Sequence, residues 1–289
     1  MHQIKKKTRI ILIIIFLILC LILPGFYNAL KVVTYAVSAE NVSGPVRIVL
    51  VTDLHSCAWG DDQKELLDAV DKQKPDLVLL GGDIFDDGLP DDNAAAFLRG
   101  MSGKYPCVYV TGNHEYWSGE ESFAQRLALL KECGITRLSG GMTTYEFSGT
   151  VLNICGVDDP YAWKGSDGFT EYTSGSFREQ LEAAAGLPRN GAFTILLTHR
   201  PELMDLYAGY GFDLVLAGHT HGGQIRVPGI LNGLYAPNQG FFPKWAGGRY
   251  EENGTVMIVS RGLARECTMI PRLYDRPELV VVELRQPQQ

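Results

Sequence analysis

Five short apolar runs in this chain each end on residues able to hold a metal ion or move a proton. "VRIVLVTDLH" ends on Asp53 and His55, "PDLVLLGGDIFD" on Asp83 and Asp86, and "CVYVTGNHE" on Asn113 and His114. Downstream, "AFTILLTH" ends on His199, and "FDLVLAGHTH" on His219 and His221. Short runs that stay apolar, with no polar alternation, are the pattern of strands buried on both faces. The covering layers come from "DQKELLDAVDKQ" (62–73), "DDNAAAFLRGM" (91–101) and "ESFAQRLALLKECG" (121–134), which carry helical spacing. The chain is therefore expected to adopt an α/β fold. In such folds, ligands collect beyond the carboxyl ends of the strands.

The later strand candidates "TTYEFS", "TVLNICGV", "TVMIVS" and "ELVVVEL" have fewer helices between them, so mixed or antiparallel pairing is expected there. The stretch "DDPYAWKGSDGFTEYTSG" (158–175) is polar, aromatic and Gly-rich and reads as a loop or lid.

Taken singly, the strand-end residues have ordinary explanations. Asp53 could cap a helix, Asp83 could occupy a turn, and His114 or His199 could simply sit in a loop. Taken together they do not. Of the six histidines, all but His2 belong to this set. Carboxylates, imidazoles and one amide delivered by five separated segments to one edge describe a metal site, expected to hold two ions.

The N-terminus is a separate object. "KKKTR" (Lys5 to Arg9) precedes a stretch from Ile10 to Leu30 with no charged residue. A helix of that length spans ~30 Å, about one hydrocarbon core. Residues 10–30 therefore read as a single-pass anchor. A cleaved signal peptide is the rival reading, and the bulky "PGFYNA" is a poor cleavage site. Lys5, Lys6, Lys7 and Arg9 outweigh Lys31 and Arg47, which places the N-terminus in the cytoplasm and the globular part outside. The expected organisation is a basic stub and anchor at 1–30, a linker or edge strand at 31–45, and one globular domain at 46–289. With 46% hydrophobic residues, the chain has material for a core of that size. Six cysteines show no CxxC pair, and no disulfide framework is expected. The net charge of −7 argues against a basic nucleic-acid-binding face. Nothing in the sequence fixes an oligomeric state.

The ordered series Asp53-Leu54-His55, Gly82-Asp83-Ile84-Phe85-Asp86, Gly112-Asn113-His114-Glu115, His199 and Gly218-His219-Thr220-His221 resembles the calcineurin-like metallophosphoesterases. The likeness runs from about residue 46 to the C-terminus. With the anchor, "GGQIRVPG", "YAPNQGFFPKWAGG", "VSRGL" and "RPEL", the chain is similar to the membrane-associated bacterial branch of that family. "LARECTMIPRLYDRPEL" departs from its pattern, being longer and more irregular.

The resemblance implies two packed mixed β-sheets flanked by helices, a four-layer sandwich. It implies that Asp53, His55, Asp83 and His221 hold one divalent metal, and that Asp83 bridges to a second held by Asn113, His199 and His219. Mixed nitrogen and oxygen ligands favour Mn²⁺, with iron or Zn²⁺ as alternatives. It implies phosphoester hydrolysis by a metal-bridging hydroxide, with His114 as general acid or transition-state donor, oriented by Asp86. The expected substrate is a phosphodiester, with a lipid-linked or envelope ester suggested by the anchor. The alternatives are a pyrophosphatase of a lipid-linked sugar nucleotide, a phosphomonoesterase, or a non-catalytic metal-binding scaffold. Within "GFFPKW" (240–245), an apolar rim meeting the membrane competes with ordinary loop packing.

Overall fold

The computed structural model describes residues 2–163, 175–187, 189–265 and 270–287. Most of the expected loop or lid at 158–175, and Cys267, lie outside the described residues.

An N-terminal helix α1 (His2–Ile22) opens the chain and is followed by a 3₁₀ turn, Leu23–Phe26, with Pro24 near its start. Thr8–Phe26 is long and apolar enough to cross a membrane, with a mean hydropathy of 2.9 and almost no burial against the protein. The helix stops short of Leu30, because Pro24 removes a backbone donor.

Strand β1 (Lys31–Ser38) follows, then β2 (Val46–Val51), α2 (Lys64–Gln73), β3 (Leu77–Gly81) and α3 (Asp92–Met101). The first half closes with β4 (Cys107–Val110), α4 (Asn113–Trp117), α5 (Glu120–Glu132) and β5 (Thr136–Arg137). The second half comprises β6 (Gly141–Phe147), β7 (Thr150–Gly156), α6 (Gly175–Gly186), β8 (Phe193–Leu197), α7 (Met204–Tyr207) and β9 (Leu214–Ala217). It ends with β10 (Tyr235–Ala236), β11 (Gly240–Phe241), β12 (Gly248–Glu252), β13 (Thr255–Val259) and β14 (Glu278–Arg285).

Two six-stranded sheets result, in the orders β1-β14-β2-β3-β4-β5 and β12-β13-β9-β8-β7-β6, beside the small hairpin β10-β11. β2 to β5 run parallel in the first sheet, and β7, β8, β9 and β13 in the second. The antiparallel pairs are β14 on β2, and the edge strands β6 and β12. This is the mixed pairing expected of the second half.

The alternation along each strand builds the layers. Ile48 and Leu50 of β2 join Leu152, Ile154, Ile195 and Leu216 in the core between the sheets. Val49 and Val51 point the other way, against Leu66 and Val70 of α2 and Phe97 and Leu98 of α3. α6 and α7 cover the outer face of the second sheet through Phe177, Leu181, Met204 and Tyr207. The fold is thus the expected α/β sandwich with helices on both outer faces. Five cysteines, Cys20, Cys57, Cys107, Cys133 and Cys155, are free.

Two helix starts differ from the sequence reading. The stretch expected to be helical from residue 62 begins at Lys64, because Gln63 is buried and its side chain bonds Trp59 N and the carbonyls of Cys57 and Asn93. The short α4 begins on Asn113 itself, directly after β4.

Candidate metal centre

The carboxyl ends of β2, β3 and β4 in one sheet meet those of β8 and β9 in the other. The loops leaving them carry every residue singled out as a ligand. Their donor atoms gather into Asp53, His55 and His221, and into Asp83, His199 and His219, with atoms in each group within 4.8 Å of one another. A third group joins His55, Asp86 and His114.

Asp83 Oδ2 faces both clusters, 3.0 Å from His199 Nε2 and 3.6 Å from His55 Nε2. Its other oxygen accepts the His114 backbone N–H at 2.9 Å. Asp53 divides its oxygens similarly: Oδ1 accepts the His219 N–H at 2.8 Å, while Oδ2 has no partner.

The backbone is bent to make this arrangement. Asp53, His55, Asp83, His219 and His221 have φ of 50°, 47°, 50°, 72° and 47°. Left-handed backbone costs a non-glycine residue about 1–2 kcal/mol, so its concentration at one site marks a functional constraint. In "AGHTHGGQ", Thr220 sits at φ −86° between two left-handed histidines. That reversal lets residues two apart reach different clusters, where an extended strand would have separated their side chains. Gly218 is required by packing, since a Cβ there would lie 2.5 Å from Asp53 Oδ2.

Hydrogen bonds set which ring nitrogens are free. His55 donates Nδ1–H to Asp86 Oδ2 at 2.9 Å, and His199 donates Nδ1–H to the Gly81 carbonyl at 2.9 Å. Each leaves Nε2 directed at the site. Asn238 Oδ1 lies 2.8 Å from His219 Nε2 and 2.5 Å from Arg200 Nη1. Arg200 Nη1 also lies 2.6 Å from His219 Nε2, so Asn238 and Arg200 together hold that edge of the ring. Arg200 is itself gripped by both oxygens of Asp159.

Burial alone would lower the His55 imidazole, but Asp86 and the carboxylates of Asp83 and Asp53 raise it to about 9. Burial likewise opposes charge on His199, and Asp83 overrides it, reaching about 10. Burial raises Asp83, yet the surrounding histidines, His199 first, hold it well below the usual carboxylate range. Burial raises Asp53. His219 and His221 are driven well down, by burial and then by Arg200 and His55 respectively. Protons held this firmly between acid and imidazole report a negative potential at the centre, and neutral imidazole is the form that binds a metal.

The donor set fits a metal. Asp53 Oδ2, His55 Nε2, Asn113 Oδ1 and His221 Nδ1 are buried and lack any hydrogen-bond partner. Buried polar atoms are almost always satisfied. Orphaned donors on Asp53, His55 and His221, which lie within ligand distance of one another, and on Asn113, which lines the same cleft, fit ligands for cations.

Asp86, expected to orient His114, faces both His114 and His55. Its hydrogen bond goes to His55, with His114 Nδ1 at 3.5 Å, while Asp87 Oδ1 lies 2.5 Å from that nitrogen. The loop after β3 turns Asp86 inward and leaves Asp87 at the surface side of His114. Sequence reasoning also missed Glu115. Its buried carboxylate accepts the backbone N–H groups of Gly112, Asp83, Ile84 and Phe85, tying the β3 loop to the start of α4. Position 115 stood inside "GNHE", but nothing in that spacing told a ligand from a brace. Asn238 and Arg200 were missed too; only the Pro-Asn punctuation of "YAPNQG" marked a turn near Asn238. Asp83, Asn113, His114, His219 and His221 line a cleft of about 270 Å³ walled by Trp117, Tyr161 and Tyr235.

The calcineurin-like phosphoesterase family model matches residues 46–223. An uncharacterized metallophosphoesterase of Helicobacter pylori (strain J99) is 30% identical over 248 residues, covering 82% of this chain and 60% of the relative. The chain thus spans about three fifths of that relative's length. Phosphodiesterase YaeI of Escherichia coli is 28% identical over 266 residues, covering 90% of this chain and 89% of that protein. Among solved structures, GAP50, the anchor in the inner membrane complex of Plasmodium, shares the fold. It has a TM-score of 0.50 at 15% identity, with 83% of this chain and 81% of that one covered.

Proposed function

The chain belongs to the calcineurin-like phosphoesterase family, and from that premise we propose that it is a metal-dependent phosphoester hydrolase that cleaves a phosphodiester at a membrane surface. The observation carrying the catalytic reading is the set of orphaned donors on Asp53, His55, Asn113 and His221, with Asp83 Oδ2 between the clusters. Asp53, His55, Asp83 and His221 would hold one divalent ion, and Asp83, Asn113, His199 and His219 the other. Mn²⁺ is favoured by the mixture of imidazole, amide and carboxylate ligands. When bound, the ions supply an acidified water and positive charge against the phosphoryl oxygens.

The protein's own groups do the rest. His114 lines the cleft without belonging to either ligand set, and acts as proton donor to the leaving oxygen. Asp87 accepts from its Nδ1, so Nε2 is the nitrogen left to meet the ester. Asp86 fixes the His55 tautomer, and Glu115 holds the loop that carries Asp83 and the helix that carries Asn113.

The diester preference is supported by the name of the Escherichia coli relative, a phosphodiesterase. Attachment to a membrane is supported by the apolar segment Thr8–Phe26, read as an uncleaved anchor with the catalytic domain outside the cytoplasm. The test is a screen of the full chain with Mn²⁺ against aryl monoesters, bis-p-nitrophenyl phosphate, nucleotide sugars and lipid pyrophosphates. Hydrolysis of the diester, abolished by a chelator, is expected. Turnover of monoesters alone would overturn the diester reading, and turnover of none would overturn catalysis.

A further inference from the structure

Beside the catalytic cleft, the chain exposes large apolar side chains in one connected region. Ile230 is 86% exposed, Phe241 70% and Phe242 69%. Val227 and Tyr235 are exposed as well. Single exposed apolar side chains are ordinary, but several gathered along one connected stretch mark a surface that meets something apolar.

Backbone hydrogen bonds join this region to the end of the N-terminal apolar segment. Tyr274 N–H donates to the Gly25 carbonyl, and Leu273 packs on Gly25. Leu273 pairs with Ile225, and its carbonyl accepts Arg226 N–H at 2.9 Å. From there the chain makes the tight turn Val227–Leu231, which carries Ile230 at its tip. It then returns through Leu234, whose carbonyl accepts Phe242 N–H at 2.8 Å. Tyr235 pairs with Phe241 across β10-β11, their rings 5.4 Å apart. β10 and the turn that follows it supply Tyr235, Pro237 and Asn238 to the cleft wall.

Basic groups flank the patch. Arg276 donates to the carbonyls of Ala29 and Leu30 and lies over the Tyr27 ring, and Lys244 sits over Trp245 with Asp205 at 3.4 Å and Glu252 at 3.6 Å. Aromatic and apolar tips with Lys and Arg beside them suit the boundary between acyl chains and headgroups.

We propose that the Val227–Leu231 turn and the β10-β11 hairpin form a rim that inserts into the lipid bilayer, holding the catalytic cleft at the headgroup level. The occupant is the lipid surface, because the rim is hydrogen-bonded through Leu273 and Tyr274 to the foot of a segment with the length and hydropathy of a span. The inference rests on the reading of Thr8–Phe26 as a membrane anchor and adds that the globular domain is itself docked. A substrate whose phosphoester lies in the headgroup layer would enter the cleft without leaving the bilayer.

Brominated-lipid quenching tests it in the full chain reconstituted into vesicles of phosphatidylcholine and phosphatidylglycerol. One sample carries a fluorophore on native Cys20, in a Cys267→Ser background. A second carries it at 242, in Cys20→Ser/Cys267→Ser/Phe242→Cys. A third, in the same background, carries it at Glu132→Cys, beside the opposite edge of the first sheet. Bromines near the acyl carbonyls are expected to quench the label at 242 roughly twofold or more, as for a side chain buried in the interface, and to leave the label at 132 unaffected. Quenching at Cys20 but not at 242 would overturn the rim and leave the anchor standing. Quenching at neither would overturn both. The Phe241→Ser/Phe242→Ser variant should hydrolyse soluble bis-p-nitrophenyl phosphate at the wild-type rate, because both side chains lie outside the metal centre; a loss there would place these residues in the catalytic fold instead.

Discussion

His114 Nδ1 lies 2.5 Å from Asp87 Oδ1, so the imidazole proposed as proton donor is steered by the carboxylate next in sequence to the one that steers His55. Two adjacent aspartates thus serve two histidines. His114→Ala should lower kcat by about 10²–10⁴-fold, the usual worth of a positioned general acid, with metal content unchanged by elemental analysis. Asp87→Asn should reduce kcat less and also spare the metal, whereas Asp86→Asn should weaken metal binding through His55. Equal metal loss in both aspartate variants would refute this division.

His219 and His221 belong to different donor groups, one with Asp83 and His199, the other with Asp53 and His55. Each single alanine variant should therefore retain about one equivalent of Mn²⁺ where the parent holds two, with calorimetry resolving one site in each. A variant that loses both ions together would show that the pair binds as one unit.

Glu115 accepts four backbone N–H groups while fully buried. Glu115→Ala strands them, at a cost of at least about 3 kcal/mol. Thermal unfolding should shift down by roughly 6–12 °C at that cost in a domain of this size. Glu115→Gln keeps one acceptor oxygen and should fall between the two.

Asn238 reaches His219 from a left-handed position, φ 61°, and Arg200 braces its carbonyl. Partners of this kind typically contribute 10–100-fold to metal affinity. Asn238→Ala should weaken Mn²⁺ binding at the His219 site by about that factor, measured by competition with a chelating dye, and leave the site of His221 unchanged. Unaltered affinity at both sites would remove Asn238 from this role.

Much of this protein was legible without coordinates. Apolar runs broken by helical spacing carried the layers, and the residues ending "VTDLH", "GGDIFD", "TGNHE", "LLTH" and "AGHTH" are those that converge. Hydrophobic periodicity and residue chemistry are local properties, readable one segment at a time. Glu115 stood in plain view within "GNHE", yet its hydrogen bonds run mostly to a loop 30 to 32 residues away.

The sequence by itself determined the sheet-forming segments, the identities of the side chains that gather into the donor clusters, and their order along the chain. Only the tertiary structure decided which imidazole faces which carboxylate, that Asp86 turns to His55 while Asp87 meets His114, and that Asn238 braces His219. It also decided the left-handed backbone that splits His219 from His221. The reason is distance along the chain: His199 meets Asp83 across 116 residues and His219 meets Asp53 across 166. Contacts of that span are set by how two sheets pack and where their strand ends coincide, and no local spacing encodes that.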